Sequence, residues 1–325
     1  MHKRLGAACL PFLLLAAQAA DARNIVIAND DGLTSNVIAL YNALKSRGDD
    51  VIVSVPCTGQ SGMGAAVKFL RPLGPLAQDC HNGAAPKGAP AVGPIERPGI
   101  AKQDFHYVDG TPVMALLYGI DVLAQKRWGH APDLVLSGPN EGQNIGSIIV
   151  SSGTVNVVQY ASARGIPAIA LSAGEETADN KTLANPQSAE IASLSVKLLD
   201  ALEKQASNKP LLPTGTSLNV NFPHQLENAR WKLTRVGTYD AYGVHFVEDM
   251  SQSPMAKALG AGDVALPGIV IDMNQAKPTP AQKDDESVAV RDSITISVMQ
   301  LGYGSNARTG QNAAKALVSR LSRQR

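Results

Sequence analysis

Two adjacent carboxylates, Asp30 and Asp31, follow the apolar run Asn24-Ile25-Val26-Ile27-Ala28 and precede Gly32. Carboxylates crowded at the end of a buried strand repel each other, and a divalent cation relieves that repulsion while keeping hard oxygen ligands in place. The same residues also read as an ordinary turn, or as a cap on the next helix. A second candidate is Gly59-Gln60-Ser61-Gly62-Met63-Gly64. Its glycine order fails as a dinucleotide fingerprint, so it is either a surface loop or a segment whose glycines let the backbone approach an ion while Ser61 offers a hydroxyl. The polar stretch Ser137-Gly138-Pro139-Asn140-Glu141-Gly142-Gln143-Asn144-Ile145-Gly146 supplies a neutral oxygen at Asn140, with Glu141 read as solvated. Ser151-Ser152-Gly153-Thr154 opens an apolar helical pattern. It serves as an N-cap, and the same backbone N–H groups and hydroxyls suit a phosphate. The histidines share no metal spacing, and no Gly-x-Ser-x-Gly elbow is present.

Elements of alternating type must position these residues. Asn24–Ala28 and Val51–Val55 read as buried strands, with a helix from Val37 to Gly48 between them. His106–Val108 is a further strand, followed by a helix opened by Pro112. Strand Asp133–Leu136, a glycine-rich loop 137–153, helix Val155–Arg164 and strand Ala168–Leu171 continue the alternation. The expected fold is α/β, a Rossmann-like, mostly parallel sheet with helices on both faces. Loops at the carboxyl ends of such strands share one edge, where ligands bind. Helix Pro186–Gln205 and strand Ser217–Phe222 come next, then β-like pieces at Trp231–Val236 and Ser293–Gln300 and a basic helix Gln311–Arg323.

The chain has 325 residues, 44% of them apolar, and Lys plus Arg number 29 against 28 for Asp plus Glu. That balance excludes a broad basic field for nucleic-acid polymers or membrane surfaces, so an anionic substrate must be captured locally. Met-His-Lys-Arg, an apolar stretch Leu5–Ala17 and Ala17-Gln18-Ala19 form a secretory signal pattern too short to span a bilayer. We therefore expect a signal peptide at 1–22 and a periplasmic or secreted protein with no membrane anchor after cleavage. Of three cysteines, Cys57 and Cys80 remain, and in an oxidising compartment they read as one disulfide worth about 3 kcal/mol. A stretch at about 71–103, with six prolines and five glycines, reads as a long loop or insertion that is functional or disordered. The expected division is a core at 23–223 and an accessory, oligomerising region at 224–325.

In content and order, Ile25 to Gly32, Gln60 to Gly64, Asp109-Gly110-Thr111-Pro112, Ser137 to Gly146, Ser152-Gly153-Thr154-Val155 and Gly165-Ile166-Pro167-Ala168-Ile169-Ala170 resemble the SurE family, and Leu218-Asn219-Val220-Asn221-Phe222-Pro223 resembles the strand after its core. The resemblance implies a phosphomonoesterase that uses Mn²⁺ or Mg²⁺ to hydrolyse nucleoside 5′- and 3′-monophosphates, assembled as a homodimer or homotetramer through a swapped hairpin or tail. It places the ion on Asp30, Asp31, Ser61 and Asn140, and the phosphate on Asn144, Ser152, Gly153 and Thr154. The chain departs from the family pattern at Pro139 and at Ser147-Ile148 to Ser151, where an aspartate and a tyrosine are usual. Rival readings are an exported phosphate-binding protein without turnover and a degenerate member kept for assembly. An aspartyl-phosphate route is disfavoured because its Asp-x-Asp pattern is missing.

Overall fold

A computed structural model describes residues 22–206, 210–258, 260, 262–302 and, in part, 311–318. The expected signal peptide and most of the expected helix Gln311–Arg323 lie outside the described residues.

The strands are β1 (Asn24–Ala28), β2 (Asp50–Pro56), β3 (Val92–Pro94), β4 (Phe105–Val108), β5 (Leu134–Glu141), β6 (Ala168–Ala173), β7 (Thr216–Asn221), β8 (Arg230–Thr234), β9 (Tyr242–Val247), β10 (Gly268–Met273) and β11 (Ser293–Gln300). Nine of them form one sheet in the order β3-β4-β2-β1-β5-β6-β7-β11-β8, while β9 and β10 make a separate antiparallel hairpin. The strands from β4 to β7 are mutually parallel, β11 runs antiparallel to β7, and β3 closes the far edge antiparallel to β4. This is the mostly parallel α/β sheet the alternation predicts.

The main helices are α1 (Ser35–Arg47), α2 (Pro112–Tyr118), α3 (Ala124–Trp128), α4 (Gly153–Ala163) and α5 (Pro186–Ala206), with a π-helical turn at Gly119–Leu123 joining α2 to α3. The Thr34 hydroxyl caps α1, and α1 ends on Gly48 in the left-handed conformation. α1 and α5 pack on one face of the sheet over Ile25, Ile27, Val51, Val53 and Leu136. α2 and α4 cover the other over Val26, Ala28, Ile52, Val135 and Ala170. With helices on both faces, β1 buries residues on each side and is apolar from Ile25 to Ala28. Among the described residues no helix is long and apolar enough to cross a membrane.

The structure revises two expectations. The proline-rich stretch 71–103 is a packed loop with the short strand β3 in it and not a disordered one, and Leu76, Ala84, Ala85 and Ile95 are buried in the same core cluster as the bonded Cys57 and Cys80. β5 does not give way to loop at Ser137. It continues to Glu141 across a bulge between Ser137 and Asn140 that contains the cis Gly138-Pro139 bond. Beyond Pro223, β8 and β11 join the main sheet past β7. Among the described residues, the β9–β10 hairpin is the one pair of strands outside it.

The disulfide closes a loop between cysteines 23 positions apart. We predict that Cys80→Ser lowers unfolding free energy by about 3 kcal/mol on the chain-entropy scale, measured by urea denaturation. The wild type treated with reductant should fall to the same midpoint.

Candidate active site

The carboxyl ends of β1 and β5 and the N-terminus of α4 meet at one point. β1 ends at Ala28, and Asn29 turns the chain: its amide donates to the Gly32 carbonyl (2.7 Å) while its Oδ1 accepts the Gly32 N–H (3.1 Å). Gly32 has φ 89°, and a Cβ there would stand 3.0 Å from the Pro56 carbonyl oxygen. This turn fixes Asp30, which is 3% exposed, and leaves Asp31 half-buried beside it.

α4 abuts Asp30 directly. The Thr154 hydroxyl donates to Asp30 Oδ1 (2.6 Å), with Asn140 Oδ1 3.1 Å away on its other side. Gly153 is the closest neighbour, since a Cβ at that position would lie 2.7 Å from Asp30 Cβ and 2.8 Å from its Oδ2. Ser152 caps the helix, its hydroxyl accepting the Val155 N–H (3.1 Å). That leaves the Ser152 hydroxyl hydrogen available for another acceptor.

Asn140 reaches the site because β5 runs past Ser137, and its amide donates to the Gly142 carbonyl (2.7 Å), which points Oδ1 toward Thr154. The Glu141 N–H donates to Asp31 Oδ2 (3.1 Å). The Ser61 loop straps across the same edge, with Gln60 N–H on the Asp30 carbonyl (2.7 Å) and Gly64 N–H on the Ser151 carbonyl (2.9 Å). Ser61 itself is exposed at the crest of the strap. Asn144 sits to one side, 7% exposed, with its amide nitrogen 3.0 Å from Ser172 Oγ and its backbone bound to Asn219 and Asn221. Of the eight residues singled out, Asp30 touches Gly153 and Thr154, and Thr154 links it to Asn140. Asp31 and Ser152 are chain neighbours of that group, Ser61 is carried to it by the strap, and Asn144 is anchored in the adjoining asparagine ladder.

Electrostatics follow from burial. Desolvation raises the Asp30 carboxyl above its ordinary range, opposed by the Thr154 hydroxyl and by the backbone N–H groups of Asp30 itself, Thr154 and Gly153. Asp31 is raised well above that range, by desolvation first and then by repulsion from Asp30 and Glu141. Glu141 is no solvated bystander: it is half-buried, its carboxyl is raised by desolvation, and its Oε1 accepts from the Asn180 amide (2.6 Å). Asn180 Oδ1 in turn accepts the Ser35 N–H at the start of α1 (2.7 Å). Sequence reasoning missed both roles. For Glu141 the adjacent Asn140 was a usable signal, but Asn180 lies in a polar stretch with none.

The Asp30 carboxylate and the Asn140 Oδ1 meet at the Thr154 hydroxyl with the Asp31 carboxylate beside them, and among the described residues no group of three or more His, Cys, Asp or Glu side chains is placed to hold a metal, so a cation would rest on the aspartate pair and neutral oxygens. An all-oxygen set with surplus negative charge suits a hard divalent cation such as Mg²⁺ or Mn²⁺.

The family model described as Survival protein SurE matches residues 25–242. The chain belongs to the SurE family. A crystal structure of the SurE protein from Aquifex aeolicus superposes with a TM-score of 0.62 at 26% identity, covering 89% of this chain and 97% of that one. An acid phosphatase of Yarrowia lipolytica is 37% identical over 209 residues, 61% of this chain and 56% of the relative. A 5′-nucleotidase SurE of Thermosipho melanesiensis is 29% identical over 214 residues, 65% of this chain and 70% of the relative. The Chlamydia trachomatis serovar L2 enzyme of the same name is 33% identical over 213 residues, 65% and 64% of the two chains. The match to the Yarrowia phosphatase therefore spans little more than half that protein's length.

Two consequences are testable in this SurE protein. Because the folded-state affinity of Asp31 for protons is raised, the stability it contributes is present at pH below the ordinary carboxylate range and lost as pH rises through the raised value. In chelator at pH 7, Asp31→Asn should therefore raise Tm by a few degrees, an advantage that disappears near pH 3.5. Gly153→Ala should push α4 off Asp30 and weaken Mn²⁺ binding by roughly tenfold or more, read by calorimetry.

Proposed function

We propose that the chain is a metal-dependent phosphomonoesterase that hydrolyses nucleoside 5′- and 3′-monophosphates to nucleoside and phosphate. One observation carries this reading: the N-terminus of α4 is tied through the Thr154 hydroxyl to both Asp30 and Asn140, so a phosphate-binding helix end and a cation-binding oxygen cluster share one point. The names of the relatives from Yarrowia and Thermosipho support it. Asp30, Asp31, Asn140 and Ser61 would hold the cation, which would supply positive charge against the phosphoryl oxygens and acidify a water. The Ser152 hydroxyl, with its hydrogen still to give, and the positive end of the α4 dipole bind the phosphoryl oxygens and favour the charge that builds on them. Asp30 or Asp31, both kept proton-hungry by burial, accepts the proton of the attacking water. Thr154 belongs with the carboxylates more than with the phosphate, because its single hydroxyl hydrogen is already given to Asp30.

Two further parts of the reading have their own support. Export to the periplasm or medium agrees with the signal pattern at 1–22 and with the Cys57–Cys80 disulfide. Assembly as a dimer or tetramer agrees with the β9–β10 hairpin. There Val244 and Phe246 share a face with Ile269, and all three are exposed.

The test is phosphate release from a panel of nucleoside 5′- and 3′-monophosphates with Mn²⁺, Mg²⁺ or chelator. Wild type should turn over only with metal, and Asp31→Asn should lose roughly a hundredfold or more in kcat/KM. Tight nucleotide binding without release under every metal would instead establish the binding-protein reading.

A further inference from the structure

The segment 142–152 joins Asn140 to α4, and its backbone is held from outside. The Asn144 N–H donates to Asn221 Oδ1 (2.8 Å), and the Asn144 carbonyl accepts from the amides of Asn219 (2.8 Å) and Asn221 (3.0 Å). The Gly146 N–H donates to Glu286 Oε1 (3.1 Å) and the Ser147 N–H to Asp240 Oδ1 (2.6 Å). A 3-10 turn, Gly146–Val150, then hands its Ile148 carbonyl to the N–H groups of Ser151 (3.0 Å) and Ser152 (3.2 Å), which leads directly into the α4 cap.

Glu286 stands at the centre of these contacts. It is fully buried at the start of the short helix Glu286–Ala289, and its second oxygen accepts from the same Asn219 amide (3.1 Å) that holds Asn144. One carboxylate from the last part of the chain therefore grips the segment at Gly146 directly and at Asn144 through Asn219. Gly146 cannot move aside cheaply: φ is 65°, and a Cβ there would meet Asp240 Oδ1 at 2.8 Å and Ser287 Oγ at 2.9 Å. The neighbouring Asp285 faces another way, accepting from the N–H groups of Thr238 (2.9 Å) and Tyr239 (3.0 Å) and from Arg235 Nε (2.7 Å). Closing the chain around residues 235–239 thus falls to Asp285, and Glu286 is directed at the segment before α4. A fully buried carboxylate is costly unless donors surround it, and the donors that surround this one belong to that segment and its supports.

We propose that Glu286 is a positioning residue, which sets the segment 142–152, and through it the Ser152–Thr154 end of α4, at the place where phosphate is bound. The proposal rests on the phosphatase reading for its catalytic consequence alone. It is tested with Glu286→Ala and with Glu286→Asp, which keeps the charge but is one methylene too short. Four quantities are measured on the full chain: KM for a nucleoside monophosphate, inhibition by inorganic phosphate, Mn²⁺ affinity by calorimetry, and amide hydrogen exchange.

We expect Glu286→Ala to raise KM and the phosphate inhibition constant about tenfold, with Mn²⁺ affinity within about threefold of wild type. Exchange should accelerate in 142–152 and stay unchanged in β1 and β2. Glu286→Gln, which retains an acceptor for Gly146, should recover most of the loss. If Glu286→Ala fails to fold, Glu286→Asp is expected to show the same pattern at smaller amplitude. Unchanged phosphate inhibition and unchanged exchange in folded variants would overturn the proposal. So would metal affinity, strand exchange and phosphate inhibition all worsening together, which is the mark of general loosening. Should wild type release no phosphate from any substrate, the phosphatase reading fails, and exchange in 142–152 together with calorimetric binding of inorganic phosphate still decides the role of Glu286.

Discussion

Asp30 is a carboxylate driven into the first turn of a helix, with no side chain between them. The contact requires that β1 be a central strand, so that its carboxyl end projects into the middle of the edge. It requires a glycine at 153, because any larger residue would occupy the space of the aspartate itself. It also requires α4 to arrive at a fixed depth, which is the function of the cap at Ser152 and of the turn before it. Burial of the carboxylate is offset by one hydroxyl and three backbone N–H groups, those of Asp30 itself, Gly153 and Thr154, whereas Asp31 and Glu141 have fewer donors. The negative charge left over makes the site a receptor for a cation, and the helix end beside it makes the same point a receptor for an anion. On the proposed function, a phosphate ester beside a metal ion would satisfy both.

What could be read from the residues alone was local. An uninterrupted apolar run ending in Asn29-Asp30-Asp31-Gly32 announces a buried strand and a polar turn, and Ser152 before an apolar helical pattern announces a cap. Both depend on nearest neighbours, and both stand in the structure. The course of Asn140 could not be read this way. Ser137-Gly138-Pro139 has the composition of a loop, but pairing with β6 resumes at Asn140 after the bulge, and only the neighbouring strand supplies the partners. The stretch 71–103 misled for a related reason. Leu76 and Ile95 are core residues, but they sit among prolines and glycines without any period that would mark them.

Long-range partners left the weakest trace. Nothing near Glu286 indicates that its carboxylate ends on Gly146, nor anything near Asn180 that its amide ends on Glu141. The polar face of β7, with Ser217, Asn219 and Asn221 all buried, is unusual for a strand deep in a sheet, and it is explained only when the backbone of 142–152 is seen lying on it. Asparagine side chains there act as a second set of main-chain partners for a segment that has almost no regular structure of its own.

The placement of β11 between β7 and β8 bears on how the molecule comes into being. A nascent chain that has emerged as far as Pro223 already contains every candidate ligand and the whole parallel run from β4 to β7, yet the outer edge of β7 has no neighbour until residues 293–300 have been made. For the time needed to synthesise the intervening stretch, an unpaired strand edge with buried-type residues is open to any other extended chain. The asparagine-rich face and the loop it carries remain unsupported for the same interval. The complete site therefore arrives last, with the strand that closes the sheet, and a polypeptide interrupted before that point holds the candidate side chains on an unfinished frame.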